Sequence, residues 1–197
     1  MIAAAKLLVV GASLGGLDAI PVVLGALDAE LDLAIAIVQH RSPDSNGRLA
    51  RILSARSGRE FAEALDAAPR SRGAVCLAPA DYHLLVDGAR VKLSLDASER
   101  HARPSIDALF ASAATSWGPR LGAVLLTGSS DDGARGAAAV AKAGGATFVE
   151  DPARAEAPES PRAALERIEP THVGDLASIG PQVTVWVKTA RSRRTHG

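Results

Sequence analysis

Three polar residues stand at or just beyond the ends of strand-length apolar runs. Ser13 is the middle residue of Gly11-Ala12-Ser13-Leu14-Gly15, at the end of the apolar run LLVVGA (7–12). His40 closes the apolar run LAIAIVQH (33–40), and Asp132 lies in TGSSDDG, just beyond the run LGAVLLTG (121–128). A serine becomes a nucleophile when a base accepts its proton. The base in turn needs a carboxylate that orients its ring and stabilises the imidazolium. The pattern G-x-S-x-G adds a second piece: small neighbours permit a strained turn that lifts the hydroxyl into the open. The helix that follows aims free N–H groups at a developing oxyanion.

Each residue also has a plainer reading. Ser13 serves as a helix cap just as well. A lone histidine at a strand end is commonly a hydrogen-bonded structural residue. Asp132 caps the helix that follows it, and Asp131 competes with it for either job. The chain order Ser, His, Asp departs from that of α/β-hydrolases, in which the acid precedes the histidine. A dinucleotide site fits less well. It needs G-x-G-x-x-G, and Ser13 holds the place of the second glycine, where backbone must approach pyrophosphate. His40 stands where the ribose-binding acid is expected. His83, His101, His172 and His196 lack a comparable placement and read as surface or core residues.

The elements that position these residues follow from the pattern. Five strand-length apolar runs, 7–12, 33–40, 73–80, 121–128 and 146–151, are continuous rather than alternating, as strands buried on both faces are. Helical patterns lie between them. One follows the Gly-rich turn and contains Pro21, which should kink it. Another covers 48–56, behind the candidate caps Ser45 and Asn46. In PSIDALFASAATSW, Ile106, Phe110, Ala113 and Trp117 share one helical face. Residues 132–145 are alanine-rich and end in a glycine pair. HLLV and RVKLSL flank Asp87-Gly88-Ala89 as a hairpin. PQVTVWV (181–187) reads as a strand, although GDLAS before it reads as a helix start. The fold class is therefore α/β: a doubly wound, mostly parallel sheet with helices on both faces and one β-hairpin. Ligands of such sheets sit beyond the carboxyl ends of the strands, which is where the three polar residues lie.

Composition narrows the partners. Lysine plus arginine and aspartate plus glutamate number 22 each in 197 residues, so neither nucleic acid nor an anionic membrane is the expected partner. The single cysteine, Cys76, excludes an intramolecular disulfide and a cysteine-rich metal site, and reads as a buried thiol. The apolar start is too short, and too soon broken by glycine, for a signal peptide or a span. A cytoplasmic protein without cofactor or metal is expected. Residues 1–190 read as one domain, and the basic RSRRTHG (191–197) as a frayed tail first and a docking element second.

LVVGASLGG, VQH, APADYH, RPSIDALF and LLTGSSDDGA, in that order over about residues 6 to 180, resemble the catalytic domain of the chemotaxis protein-glutamate methylesterases (CheB). The resemblance implies a Ser-His-Asp triad falling on Ser13, His40 and Asp132, the second acid of DDG. It implies an oxyanion hole from the backbone N–H groups of Leu14 and Ser129. It also implies hydrolysis of glutamyl methyl esters on the cytoplasmic helices of chemoreceptors, with deamidation of receptor glutamines as in many members. Four departures bear on substrate fit: Leu14 replaces a common threonine, Ser129 a methionine, Ala102 the histidine of HRPS, and ESP a GMP-like stretch. Typical members carry an N-terminal receiver domain. Met1 directly before the first strand leads us to expect a stand-alone form, constitutive or gated by a separate receiver or regulatory protein. The contrasting expectation is a catalytically idle module that binds a signalling partner through the same cleft.

Overall fold

A computed structural model describes residues 4–43, 47–64, 75–98 and 102–189. Seven strands form one sheet: β1 (Lys6–Ala12), β2 (Leu33–Gln39), β3 (Phe61–Glu63), β4 (Val75–Leu77), β7 (Leu121–Leu125), β8 (Ala146–Glu150) and β9 (His172–Gly174). Their order is β3-β4-β2-β1-β7-β8-β9, and every pairing is parallel. The antiparallel pair β5 (His83–Asp87) and β6 (Arg90–Ser94) is the expected hairpin. The two edge strands of the large sheet, β3 and β9, have three residues each and leave no apolar run to read.

The continuous apolar character of β1 has its reason in two cores. Leu7 and Val9 face one layer, with α3 (Ile106–Trp117) and α4 (Ala134–Lys142) packed on it together with the hairpin. Leu8 and Val10 face the other, where α1 (Gly16–Gly25) and α6 (Leu176–Thr189) lie. All seven residues of β1 and of β2 are buried. The remaining helices are α2 (Arg48–Ser57) and α5 (Glu159–Leu165). The face predicted for α3 is in the core: Ile106, Phe110, Ala113 and Trp117 are all buried. No helix among the described residues is long and apolar enough to cross a membrane.

One local expectation is corrected. Residues 181–187 are helix, not strand, and belong to α6. Val183, Val185 and Val187 alternate like a strand, but Ile179, Val183 and Val187 lie four residues apart and are buried on the face toward α1, while Val185 is exposed. Burial of that stripe outweighs the local β preference of valine. Pro21 lies inside α1, which continues to Gly25. A proline cannot bond the carbonyl four residues back, and that carbonyl, Leu17 O, instead accepts from Arg56 Nη1 at 3.0 Å. Ser45, Asn46, His101 and the tail 191–197 lie outside the described residues.

Candidate active site

The sheet changes direction at β1, which has β2 on one side and β7 on the other. The three loops that carry Ser13, His40 and Asp132 therefore leave neighbouring strands at one end of the sheet. Backbone bonds carry the register beyond the strands: His40 N–H donates to Ala12 O, Leu126 N–H to Gly11 O and Ser13 N–H to Thr127 O, each at 2.9 Å. Three loops far apart in sequence are thus held as rigidly as a ladder.

His40 joins the other two. Its Nε2 lies 2.7 Å from Asp132 Oδ2 and its Nδ1 3.2 Å from Ser13 Oγ. A carboxylate only accepts, so Nε2 carries the proton toward Asp132, and the Nδ1 lone pair faces the Ser13 hydroxyl. The ring is used the other way round from the familiar protease arrangement, in which Nε2 faces the serine.

The plainer readings of Ser13 and Asp132 fail on geometry. Gly15, with φ 85°, is the N-cap of α1, and no side chain caps that helix. Asp132 does cap a helix, but not the one after it. Its carboxylate accepts from Ile106 N–H at 2.8 Å, Asp107 N–H at 2.9 Å and Ser105 Oγ at 3.1 Å, at the start of α3. The N-cap of α4 is Gly133, and Asp131 contributes its carbonyl to Ala134 N–H. Burial opposes ionisation of Asp132, but the His40 bond and the backbone N–H groups of Asp107 and Ile106 outweigh it. The carboxyl is held below its ordinary range. The expected strain at the elbow is also absent from Ser13. Among the described residues Asp81, at φ 62°, is the one non-glycine in the left-handed region.

The Gly15-Gly16 pair has a packing reason. Gln39 Nε2 donates to Ser13 O at 2.7 Å and His40 O at 3.0 Å, stapling the two loops together. Its Oε1 lies so close to Gly16 that a Cβ there would stand 1.9 Å away. Gln39 is the middle residue of VQH, yet nothing in the sequence assigns it this task. Ser105 and His83 were missed likewise. Ser105 caps α3 by accepting from Ala108 N–H at 3.2 Å. His83, buried, accepts from Ser105 N–H at 3.2 Å through Nδ1, and its Nε2 lies 3.2 Å from Ala97 O. A serine two residues before an aspartate at a helix start is a legible cap. Its second bond, to Asp132, is not legible.

Leu14 follows Ser13 in the chain, and Gly128, the neighbour of Ser129, packs against the Ser13 side chain. Among the described residues, neither the Leu14 nor the Ser129 backbone N–H donates to another group. The Ser129 loop is pinned from both ends: Gly128 N–H donates to Ala157 O at 2.9 Å and Ser160 Oγ to Ser130 O at 2.6 Å. The ESP stretch that departs from the resembled family thus supplies Ser160 to this loop. Thr127 ties the two sides together, its Oγ1 donating to Leu14 O at 2.8 Å while its N–H donates to Glu150 Oε2 at 2.7 Å. Burial raises the Glu150 pKa, the Thr127 N–H partly offsets that, and the nearby charges of Asp151 and Glu156 add to the rise.

Two cavities open on His40. One of about 490 Å³ is lined by Ser13, Leu14, Gln39, His40 and Glu156 among others. The second, of about 350 Å³, is lined by His40, Arg41, Asp81, Ser98 and Arg103 among others.

A family model described as CheB methylesterase matches residues 8–183. The chain belongs to that family. The fold agrees: the Thermotoga maritima CheB methylesterase catalytic domain superposes with a TM-score of 0.86 at 27% identity, over 94% of this chain and 99% of that one. A Halobacterium salinarum protein named protein-glutamate methylesterase/protein-glutamine glutaminase is 39% identical over 164 residues, 81% of this chain and 47% of its own length. A relative from Leptospira interrogans is 35% identical over 173 residues, 87% of this chain and 90% of its own. The chain therefore spans nearly the whole of some CheB-family relatives and about half of others.

Proposed function

We propose that this CheB-family chain is a serine hydrolase that demethylates glutamyl methyl esters of chemoreceptor-like proteins. The observation that carries the proposal is His40 bonded on one edge to Ser13 and on the other to Asp132. Ser13 is the nucleophile. Its proton passes to His40 Nδ1 as Oγ attacks the ester carbonyl. Asp132 holds the ring and stabilises the imidazolium. The developing oxyanion takes the N–H groups of Leu14 and Ser129, which have no partner among the described residues to give up. Methanol leaves with the proton from His40, and water, deprotonated by the same ring, cleaves the acyl-enzyme to glutamate. A receptor glutamine enters the same sequence with ammonia as the leaving group. Electron and proton balance close without cofactor or metal.

The family's action on chemoreceptors supports this substrate, and we propose that the chain works in the cytoplasm with residues 1–190 as one domain. A separate receiver or regulatory protein is the expected gate. The test is methanol release from a methyl-esterified chemoreceptor by the purified chain and by Ser13→Ala. Release that falls at least ~10⁴-fold in the variant is expected. Equal release from both would dismiss Ser13 as nucleophile, and none from either would favour the idle module.

A further inference from the structure

The 490 Å³ cavity beside Ser13 is uneven in charge. Among the described residues its lining includes two carboxylates, Asp18 and Glu156, and no lysine or arginine. Asp18 is answered by Arg56, which pairs with it from α2. Glu156 has no hydrogen bond or ion pair among the described residues. Its carboxylate is nevertheless well placed: a Cβ on Gly15 would stand 2.8 Å from Glu156 Oε2 and 3.0 Å from Glu156 Cβ. The charge therefore lies against the loop that carries Ser13 and the Leu14 N–H. An oxyanion developing on that loop is opposed by a like charge nearby. A cation brought by the substrate would cancel it.

The rest of the rim is apolar. Leu14 and Leu17 line the same cavity and are 55% and 41% exposed. Exposed leucines beside an unpaired carboxylate match a side chain that is apolar along its stem and cationic at its end. Lysine has that form. Its stem covers apolar surface while its ammonium, a compact and mobile point charge, reaches the acid. An acidic side chain in the same place would meet Glu156 as a like charge, and a purely apolar one would leave Glu156 unanswered.

We propose that Glu156, with Leu14 and Leu17, forms a subsite for a lysine side chain of the substrate, so that the preferred ester is a glutamyl methyl ester with a lysine nearby. This rests on the esterase reading and adds a specificity that reading does not contain. The ester carbonyl meets Ser13, the lysine stem lies on the two leucines, and the ammonium meets the Glu156 carboxylate. Glu156 is a binding residue and takes no part in the proton transfers.

The test uses fifteen-residue alanine-rich peptides that carry one glutamyl methyl ester. A second residue is placed at each position within four of it: lysine, norleucine, which has the same stem without the ammonium, or glutamate. Methanol release gives kcat/KM, and p-nitrophenyl acetate serves as a small ester without a neighbour. The expected result at low salt is that lysine exceeds norleucine about fivefold at one or two positions, mainly through KM, with glutamate below both. In about 1 M sodium chloride the screening length falls to about 3 Å, and the lysine advantage should shrink to about twofold or less. Glu156→Gln should abolish it. Hydrolysis of all peptides with equal kcat/KM for lysine and norleucine would overturn this subsite and leave the esterase standing. So would a lysine advantage that persists in Glu156→Gln or is indifferent to salt, and so would cleavage of p-nitrophenyl acetate without any of the peptides. If neither the peptides nor p-nitrophenyl acetate is cleaved in a Ser13-dependent way, the esterase reading falls and takes the subsite with it. The comparison of lysine with norleucine in the unaltered chain needs no variant to fold.

Discussion

Asp132 and Arg41 are both charged, both buried and both beside His40, yet their hydrogen bonding is opposite. Asp132 is saturated: one imidazole, one hydroxyl and two backbone N–H groups converge on its two oxygens. Arg41 spends a single nitrogen on the protein and leaves two without an acceptor. A saturated buried charge fixes geometry, because every alternative rotamer would lose several bonds. An unsaturated one is held by fewer bonds and carries an uncompensated desolvation cost. The contrast separates a charge fixed by many bonds from one fixed by few.

The sharpest way to break this contrast is at Asp132. Asp132→Asn keeps the shape but puts an amide NH₂ among donors, so kcat should fall roughly 10⁴-fold with a small change in KM. Stopped assays of methanol release would show it, and a loss under tenfold would remove Asp132 from the mechanism. The same charge links stability to acid. Its folded pKa lies below the ordinary 3.8. Its stabilising contribution is therefore complete above that value and is lost as pH falls through the lower, folded one. Denaturant titrations of parent and Asp132→Asn should accordingly converge at the acid end.

Ser105→Ala probes the support of Asp132 rather than Asp132 itself. It removes one hydrogen bond to the carboxylate and the cap of α3, and should cost about 1 kcal/mol of stability. Activity should fall about tenfold, with kcat more affected than KM. Unchanged kinetics would mean that the backbone N–H groups of Ile106 and Asp107 hold Asp132 unaided.

Arg41→Met tests the other side. Removing one partner of a buried pair usually destabilises, but Arg41→Met also relieves the desolvation of two nitrogens without acceptors, and the Glu63 it leaves unpaired is about a third exposed. The thermal midpoint of Arg41→Met should match or exceed that of the parent. A midpoint lowered by more than about 5 °C, on the order of 1 kcal/mol, would show that the bonds to Glu63 and Ala78 make Arg41 structural.

Lys6 supplies the weakest case. It is buried, with Nζ donating to Trp186 O and lying 3.9 Å from the centroid of the Trp186 ring. Burial lowers its pKa from 10.5 to about 8. Between those values the unfolded chain binds the proton more readily, so stability should rise modestly as pH goes from 8 to 10.5. Denaturation midpoints across that range, followed through tryptophan fluorescence, provide the check.

Much of this arrangement is legible in the chain. Continuous apolar runs end at Ser13, at His40 and shortly before Asp132. Strands buried on both faces have to be apolar throughout, so their ends stand out. The helical stripe of α3 and the hairpin around Gly88 are equally local signals. The valines of α6 mislead, and Pro21 is accommodated inside α1, for the same reason. Propensity describes a segment alone, while Arg56 and the α1 face are supplied from elsewhere in the chain.

What the sequence alone determined is therefore the set of strands, the loops at their ends and the kinds of chemistry those loops carry. The tertiary structure decided that β1 lies between β2 and β7, and so that the three loops meet. It decided that Asp132 caps α3 rather than α4, that Gln39 and His83 are supports, and that Arg41 is buried against Glu63 and Ala78. The division has one physical origin. Apolar periodicity and turn chemistry act between residues close in the chain. A polar side chain buried at a strand end takes its partners from whatever packing brings beside it.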